Sequence, residues 1–305
     1  MSMDQGAVMP ERLRVKCFDH VALRVPDPPK AAAYYGRVLG LGVTGNDAAT
    51  GAIVLSALPM GTTMVAHHEL ILYPGTPAGL DHYGLTVPDA SALAVAATVL
   101  RDRGLAADGP KVFEAVHGPA VRLQDVDGYL CELVAPEPWV ARPAGSPPAN
   151  VVRITHINLK TTDPGASARW WQQFMDFRLS DEIPGQFSWV RCNNEHATVA
   201  LVRTETRGVH HVGFEIGSWD DILLMLNHFE TQGVSVEFGP GRHGPGHSIF
   251  VYFVDPWGIR WELQTEVLHI MDERTYRPGI WDPVHGRSGA VNLWGPKPPE
   301  SFIRG

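Results

Sequence analysis

His156, His211 and Glu262 set two imidazoles and one carboxylate far apart along the chain. Brought together on adjacent strands, such a set suits an octahedral Fe(II) or Mn(II) ion. A triad of this kind leaves one face open, where a substrate and dioxygen can bind side by side. Zinc more often takes a fourth protein ligand or a single water. Taken singly, each residue reads more simply as a core or surface group. The set stands out because it occurs twice: His20, His82 and Glu132 repeat it earlier in the chain, with Glu132 following His82 by 50 residues and Glu262 following His211 by 51. His210 competes with His211 for the second position. Adjacent strand residues point to opposite faces, and the H-x-G shared by His82 and His211 selects His211.

The elements that must carry these residues are duplicated as well. FDHVALRVPDPPKAAAYYGRVLGLGV (18–43) and ITHINLKTTDPGASARWWQQFMDFRL (154–179) share one layout: apolar alternation around a histidine, Asp-Pro, then a helix with an adjacent aromatic pair. His20 to Tyr34 and His156 to Trp170 are both fourteen residues apart. Residues 80–105 parallel 209–234, and VRLQDVDGYLCEL (121–133) parallels VYFVDPWGIRWEL (251–263). Four matches in one order establish a duplicated module. Each copy reads as strand, helix and strands, twice over. Asp163-Pro164 opens a helix with Pro in its first turn. Ser218 caps another, with Ile222, Leu223, Leu226 and Phe229 as its expected buried stripe. The Tyr and Trp pairs at helical spacing read as core packing. The expected division is an N-terminal, structural module over 1–140, a Pro/Ala/Gly linker over 141–150, a metal-binding module over 151–267, and an extended tail over 268–305.

Bulk properties exclude several classes. A chain of 305 residues with 44% hydrophobic and 19% charged residues buries a real core. The formal net charge of −8 argues against a nucleic-acid partner. No apolar run reaches the length of a membrane span, and the N-terminus carries no secretory pattern, so the expectation is a cytoplasmic protein with no membrane partner. Three widely spaced cysteines read as reduced thiols.

The stretch GRHGPGHSIFVYFVDPWGIRWE (241–262) adds a specific pattern: Gly241, His243, Val251, Tyr252, Asp255, Pro256, Gly258 and Glu262. In this the second copy resembles the type I extradiol ring-cleavage dioxygenases of the vicinal oxygen chelate superfamily, and the resemblance runs over roughly residues 14–267. It implies an α+β fold of two tandem modules, each of paired βαβββ units. It also implies Fe(II), with Mn(II) as the alternative ion, on His156, His211 and Glu262. Catalytic roles beside the ion fall to His243 and Tyr252. The partners implied are a catechol-type aromatic substrate and O2, and the assembly implied is a homo-oligomer.

The family's acid/base histidine lies on the strand before the second ligand. Here the matching register in CNNEHATVALV falls on Ala197, one position after His196. A one-residue shift turns a strand side chain to the other face, so His196 reaches the site only if a bulge restores it. His196 lies 15 residues before His211, an interval like the family's, and is retained as the third catalytic residue. In the first copy Arg122 stands where Tyr252 stands in the second, and His67, His68 and His117 are additional. The resembled family keeps its first module as scaffold, which makes His20, His82 and Glu132 an ancestral trace or a second metal site. Two other functions stay open: a metal-dependent isomerase or lyase of the same superfamily, and a metal-free small-molecule binding protein.

Overall fold

The computed structural model describes residues 12–113, 116–144, 150–282 and 292–304. Residues 145–149 of the expected linker lie outside the described residues, as do 1–11, 114–115, 283–291 and 305. The first module runs β1 (Cys17–Val25), α1 (Pro28–Leu39), β2 (Gly42–Asp47), β3 (Ala52–Ser56), β4 (Met64–Val65) and β5 (Leu70–Pro74). It continues with β6 (Gly79–Thr86), α2 (Ala90–Asp102), β7 (Asp108–Lys111), β8 (Ala120–Gln124), β9 (Leu130–Val134) and β10 (Val140–Ala141). The second runs β11 (Val151–Thr161), α3 (Pro164–Met175), β12 (Arg178–Ile183), β13 (Phe187–Arg191) and β14 (Val199–Arg203). After these come β15 (Val209–Ile216), α4 (Trp219–Thr231), β16 (Val236–Arg242), β17 (Ile249–Val254), β18 (Arg260–Thr265) and β19 (Gly279–Ile280).

Local chemistry explains the helix starts. Asp27 and Asp163 occupy matching cap positions, and each carboxylate accepts from the backbone N–H three residues on, at 3.0 and 2.9 Å. The following Pro has no N–H to leave unpaired. Ser218 caps α4 by accepting from Asp221 N. One expectation needs correction. The buried stripe of α4 is Ile222, Met225 and Phe229, whereas Leu223 is 42% exposed, because the turn of the helix carries it beyond the apolar face.

Each module is built on one large sheet of two βαβββ units side by side, and in the first module β4 and β10 pair as a separate two-stranded sheet. The first has the order β2-β3-β5-β1-β6-β9-β8-β7, and the second β16-β17-β18-β15-β11-β14-β13-β12-β19. The units join where their first strands pair antiparallel, β1 with β6 and β11 with β15. The last strand of the second unit lies parallel beside these, as β9 on β6 and β18 on β15. Three adjacent central strands in each sheet therefore carry His, His and Glu.

Strand alternation then divides the side chains. Ile157, Leu159, Val212, Phe214, Trp261 and Leu263 face one apolar core that also takes in residues of the first module. His156, Asn158, His211, Glu262 and Gln264 have the opposite parity and face away from it. The second member of each aromatic pair, Tyr35 and Trp171, is fully buried in that shared core. Tyr35 crosses between modules to donate to Asp255 Oδ2 at 2.6 Å. Asp255 Oδ1 accepts from Trp257 N and Ile259 N, so this carboxylate builds the Asp-Pro turn and takes no part in the site.

The tail runs back over the second module. Leu268 N bonds Gly246 O, β19 pairs with β12, and Arg242 N bonds Trp294 O. A short helix, Glu300–Arg304, places Phe302 against Phe238, Phe250 and Tyr252. Among the described residues no helix is long and apolar enough to cross a membrane.

Candidate metal centre

The second module brings His156, His211 and Glu262 to one point. His156 Nε2 lies 3.2 Å from His211 Nε2 and 3.0 Å from Glu262 Oε2, and His211 Nε2 lies 3.4 Å from that oxygen. Neighbouring ligands of an octahedral ion bound at about 2.1 Å stand about 3 Å apart, so the three donor atoms fit such an ion. The close approach of β15 to β11 is made possible by Gly213. This glycine sits opposite His156, and a Cβ there would clash with His156 Cε1.

Hydrogen bonds decide how each ligand presents itself. His210 Nε2 donates to the backbone oxygen of Phe302 at 2.9 Å, so His210 Nδ1 is an acceptor. It receives the Nδ1–H of His211 at 2.8 Å, which leaves the lone pair of His211 on Nε2, toward the other ligands. The residue that competed with His211 thus sets its tautomer. His156 Nδ1 lies 3.0 Å from Thr155 Oγ1. Glu262 divides its carboxylate, with Oε2 on the two imidazoles and Oε1 accepting from Tyr252 OH at 2.7 Å. His243 Nε2 is 2.9 Å from the same hydroxyl and 3.3 Å from Oε1. Tyr252 lies directly across from Glu262 in the β17–β18 pair. His243 follows β16, with its ring stacked on Phe250 at 3.8 Å.

The charges follow from burial and partners. Burial pushes the Glu262 carboxyl up, but the surrounding His156, His211 and His243 rings hold it well below the usual range. Burial, opposed by Glu262, lowers His211 to about 4. Protons compete with a metal for imidazole only below the imidazole's own pKa, and a free histidine titrates near about 6.5. His211 should therefore remain a competent ligand at about pH 5, where an unperturbed histidine is mostly protonated. Metal retained after equilibration at that pH checks this; release between about pH 7 and 6 would contradict it.

His196 and Ala197 both line the cleft above the triad. The strand-register argument does not apply to them, because β14 begins only at Val199 and residues 192–198 form an irregular segment. No bulge is needed. His196 is buried, its Nε2 lies 2.9 Å from Asp181 Oδ2, and burial lowers its pKa. Asp181 accepts the Nε2 proton, which leaves the Nδ1 lone pair on the Gly246 side of the cleft. His247 is exposed and takes no part.

Asn158, Gln264, Phe187 and Phe302 line the cleft and escaped the sequence reading. Asn158 is 1% exposed, with neither amide atom hydrogen-bonded, and Gln264 lies 3.3 Å from His156 Nδ1. Each sits two positions after a ligand on the same strand face, and that alternation was the available signal. Trp189, stacked on Phe187 at 4.8 Å, and Phe302 from the tail form the apolar wall. Trp257 and Trp261 pack on Tyr35, away from the cleft.

Comparison with known proteins bears on the family and the fold. Residues 18–133 and 153–263 match the model of the Glyoxalase/Bleomycin resistance protein/Dioxygenase superfamily. The chain is 25% identical over 286 residues to a metapyrocatechase of Geobacillus stearothermophilus, covering 86% of this chain and 84% of that one. It is likewise 25% identical over 290 residues to a manganese-dependent 2,3-dihydroxybiphenyl 1,2-dioxygenase of Geobacillus genomosp. 3, covering 88% of each. A homoprotocatechuate 2,3-dioxygenase from B. fuscum shares the fold, with a TM-score of 0.84 at 23% identity over 96% of this chain and 82% of that one.

Proposed function

The chain belongs to the Glyoxalase/Bleomycin resistance protein/Dioxygenase superfamily, and on that premise we propose that it is an extradiol dioxygenase. Its substrate is a substituted catechol, and its ion is Fe(II) or Mn(II) held by His156, His211 and Glu262. The observation that carries the proposal is the two-sided use of Glu262. One oxygen meets the imidazoles, while the other is held by Tyr252 and His243 at the floor of a cleft walled by Trp189 and Phe187. A metal-dependent isomerase or lyase of the same superfamily needs the triad but gives no reason for the Tyr252–His243 pair.

In the reaction, the ring carbon–carbon bond beside the diol breaks and both atoms of O2 enter the product. A bound Fe(II) or Mn(II) ion would lower the pKa of a catechol hydroxyl and keep a face open for O2. The chain's own residues do the rest. Tyr252 and His243 form a hydrogen-bonded pair next to Glu262, placed to take up the hydroxyl proton and to hold the resulting oxyanion. Asp181 orients His196 so that its Nδ1 can accept a proton and return it as the ring opens. The two amide atoms of Asn158 lack partners and face the cleft, where the diol or a ring substituent would supply them. Trp189 and Phe187 give the aromatic ring an apolar surface and limit water.

The test is oxygen uptake with a panel of catechols by anaerobically purified, Fe(II)-loaded protein, together with the appearance of a yellow ring-fission product. No uptake across the panel would overturn the assignment, since an isomerase or lyase consumes no oxygen. A metal-free binding protein would instead keep its ligand affinity in His156→Ala and Glu262→Ala. The same reading takes the chain as a cytoplasmic homo-oligomer, which sizing of the purified protein addresses.

A further inference from the structure

We propose that the first module holds a second, structural metal ion of zinc type, bound by His20, His82, His117 and Glu132. The four side chains converge, and all four donor atoms lie within 4.8 Å of one another. Glu132 Oε2 stands 3.1 Å from His117 Nε2, 3.7 Å from His82 Nε2 and 3.9 Å from His20 Nε2. Ligands of a tetrahedral ion bound at about 2.0–2.1 Å stand about 3.3 Å apart, within this range and toward its lower end.

The orientation of each ring is set from behind. His20 Nδ1 lies 2.8 Å from Asp19 Oδ1, His82 Nδ1 lies 2.9 Å from Asp81 Oδ1, and His117 Nδ1 lies 2.9 Å from Gly118 O. All three partners only accept, so each ring places its proton on Nδ1 and its lone pair on Nε2. Glu132 is held by Arg122 through its other oxygen, Oε1. Three lone pairs and a carboxylate oxygen therefore face one another in a volume where His20, His82 and Glu132 are fully buried and His117 is 7% exposed.

None of these four atoms has a hydrogen-bond partner. Buried polar atoms are almost always paired, and four acceptors with no donor call for a cation. A proton on His117 would answer Glu132 alone and leave the lone pairs of His20 and His82 unmet. One divalent ion satisfies all four at once. Imidazole and carboxylate donors in a complete set of four, with carboxylates supporting two of the rings, are the chemistry of a closed structural zinc site. His117 supplies the fourth ligand, its Nε2 beside Glu132 Oε2. Gly84 repeats the role of Gly213, since a Cβ there would clash with His20 Cε1.

This inference is independent of the activity proposed for the second module, and its test needs no turnover. The chain carrying His156→Ala and Glu262→Gln is stripped with chelator, incubated with Zn(II), desalted and analysed for metal. The expected result is about one zinc per folded chain. Replacing zinc by Co(II) should give the intense visible absorption of a tetrahedral site. Adding Glu132→Gln and His117→Gln should lower retention at least about tenfold. A folded chain that retains no zinc, or a Co(II) form with only weak octahedral bands, would overturn the proposal. Should the added substitutions prevent folding, the wild-type chain decides: two ions per chain are expected, and one, lost on His156→Ala, would overturn it.

Discussion

Glu262→Gln should strip the second module of its ion and abolish turnover while leaving the fold intact. The carboxylate is 2% exposed, and it is the one anionic donor among the three atoms that meet there. An amide of the same shape keeps the packing and one neutral oxygen, but it loses the charge that balances a divalent ion and fixes the approach of both imidazoles. An interaction from behind a ligand is worth about 10- to 100-fold in affinity, and removal of a ligand exceeds that. Metal content should fall below stoichiometry, and oxygen uptake should drop at least about 1,000-fold, following the lost ion. Stability gives a second readout. A ligand at about 1,000 times its Kd adds about 4 kcal/mol to the folded state. Chelation should therefore lower the melting temperature of the wild type through both ions, and that of Glu262→Gln only through the ion of the first module. Full metal content and turnover in the variant would remove Glu262 from the site.

His196→Phe should lower kcat by about 100- to 10,000-fold, the usual range for a positioned acid/base, with metal content unchanged. The ring is held by Asp181 in a buried position at the cleft wall, 6.0 Å from Trp189. Because burial lowers its pKa, the imidazole is neutral near pH 7 and begins as a base. The sign of the pH effect follows. In the wild type, activity should fall as pH drops through the lowered histidine value, below about 6.5, since the protonated ring can no longer accept. In His196→Phe that acid limb should disappear along with most of the rate. Asp181→Asn keeps the shape of the pair but not its charge, and should show a smaller loss with the limb moved to lower pH. A kcat within threefold of wild type in His196→Phe would show that the histidine only lines the wall.

Much of the architecture is legible because it rests on local rules. Asp-Pro starts, alternating strands and an aromatic pair fourteen residues after a histidine recur in both copies. Each is decided by neighbours within a few residues. The duplicated spacing located three residues in the second copy that the structure brings within 3.4 Å of each other, and it located their counterparts in the first. The same rules also show where such a reading fails. Alternation was applied to His196 and Ala197, but these residues precede β14, in backbone that follows no strand period. Helical period placed Leu223 on the wrong side by one residue's rotation about the helix.

What the amino-acid order determined by itself, then, is the duplicated βαβββ frame and the parity that puts His, His and Glu on one face of three strands. The tertiary structure decided what those residues meet. Phe302, 92 residues from His210, supplies the carbonyl that fixes the proton on His211. His117, beyond the end of β7, comes in as a fourth donor beside Glu132 Oε2, while Arg122 holds the Oε1 oxygen that Tyr252 and His243 hold on Glu262 in the second module. The physical reason is range. Periodicity and capping act over one or two turns of chain, whereas tautomers, fourth ligands and cleft walls depend on packing between segments that no local period connects.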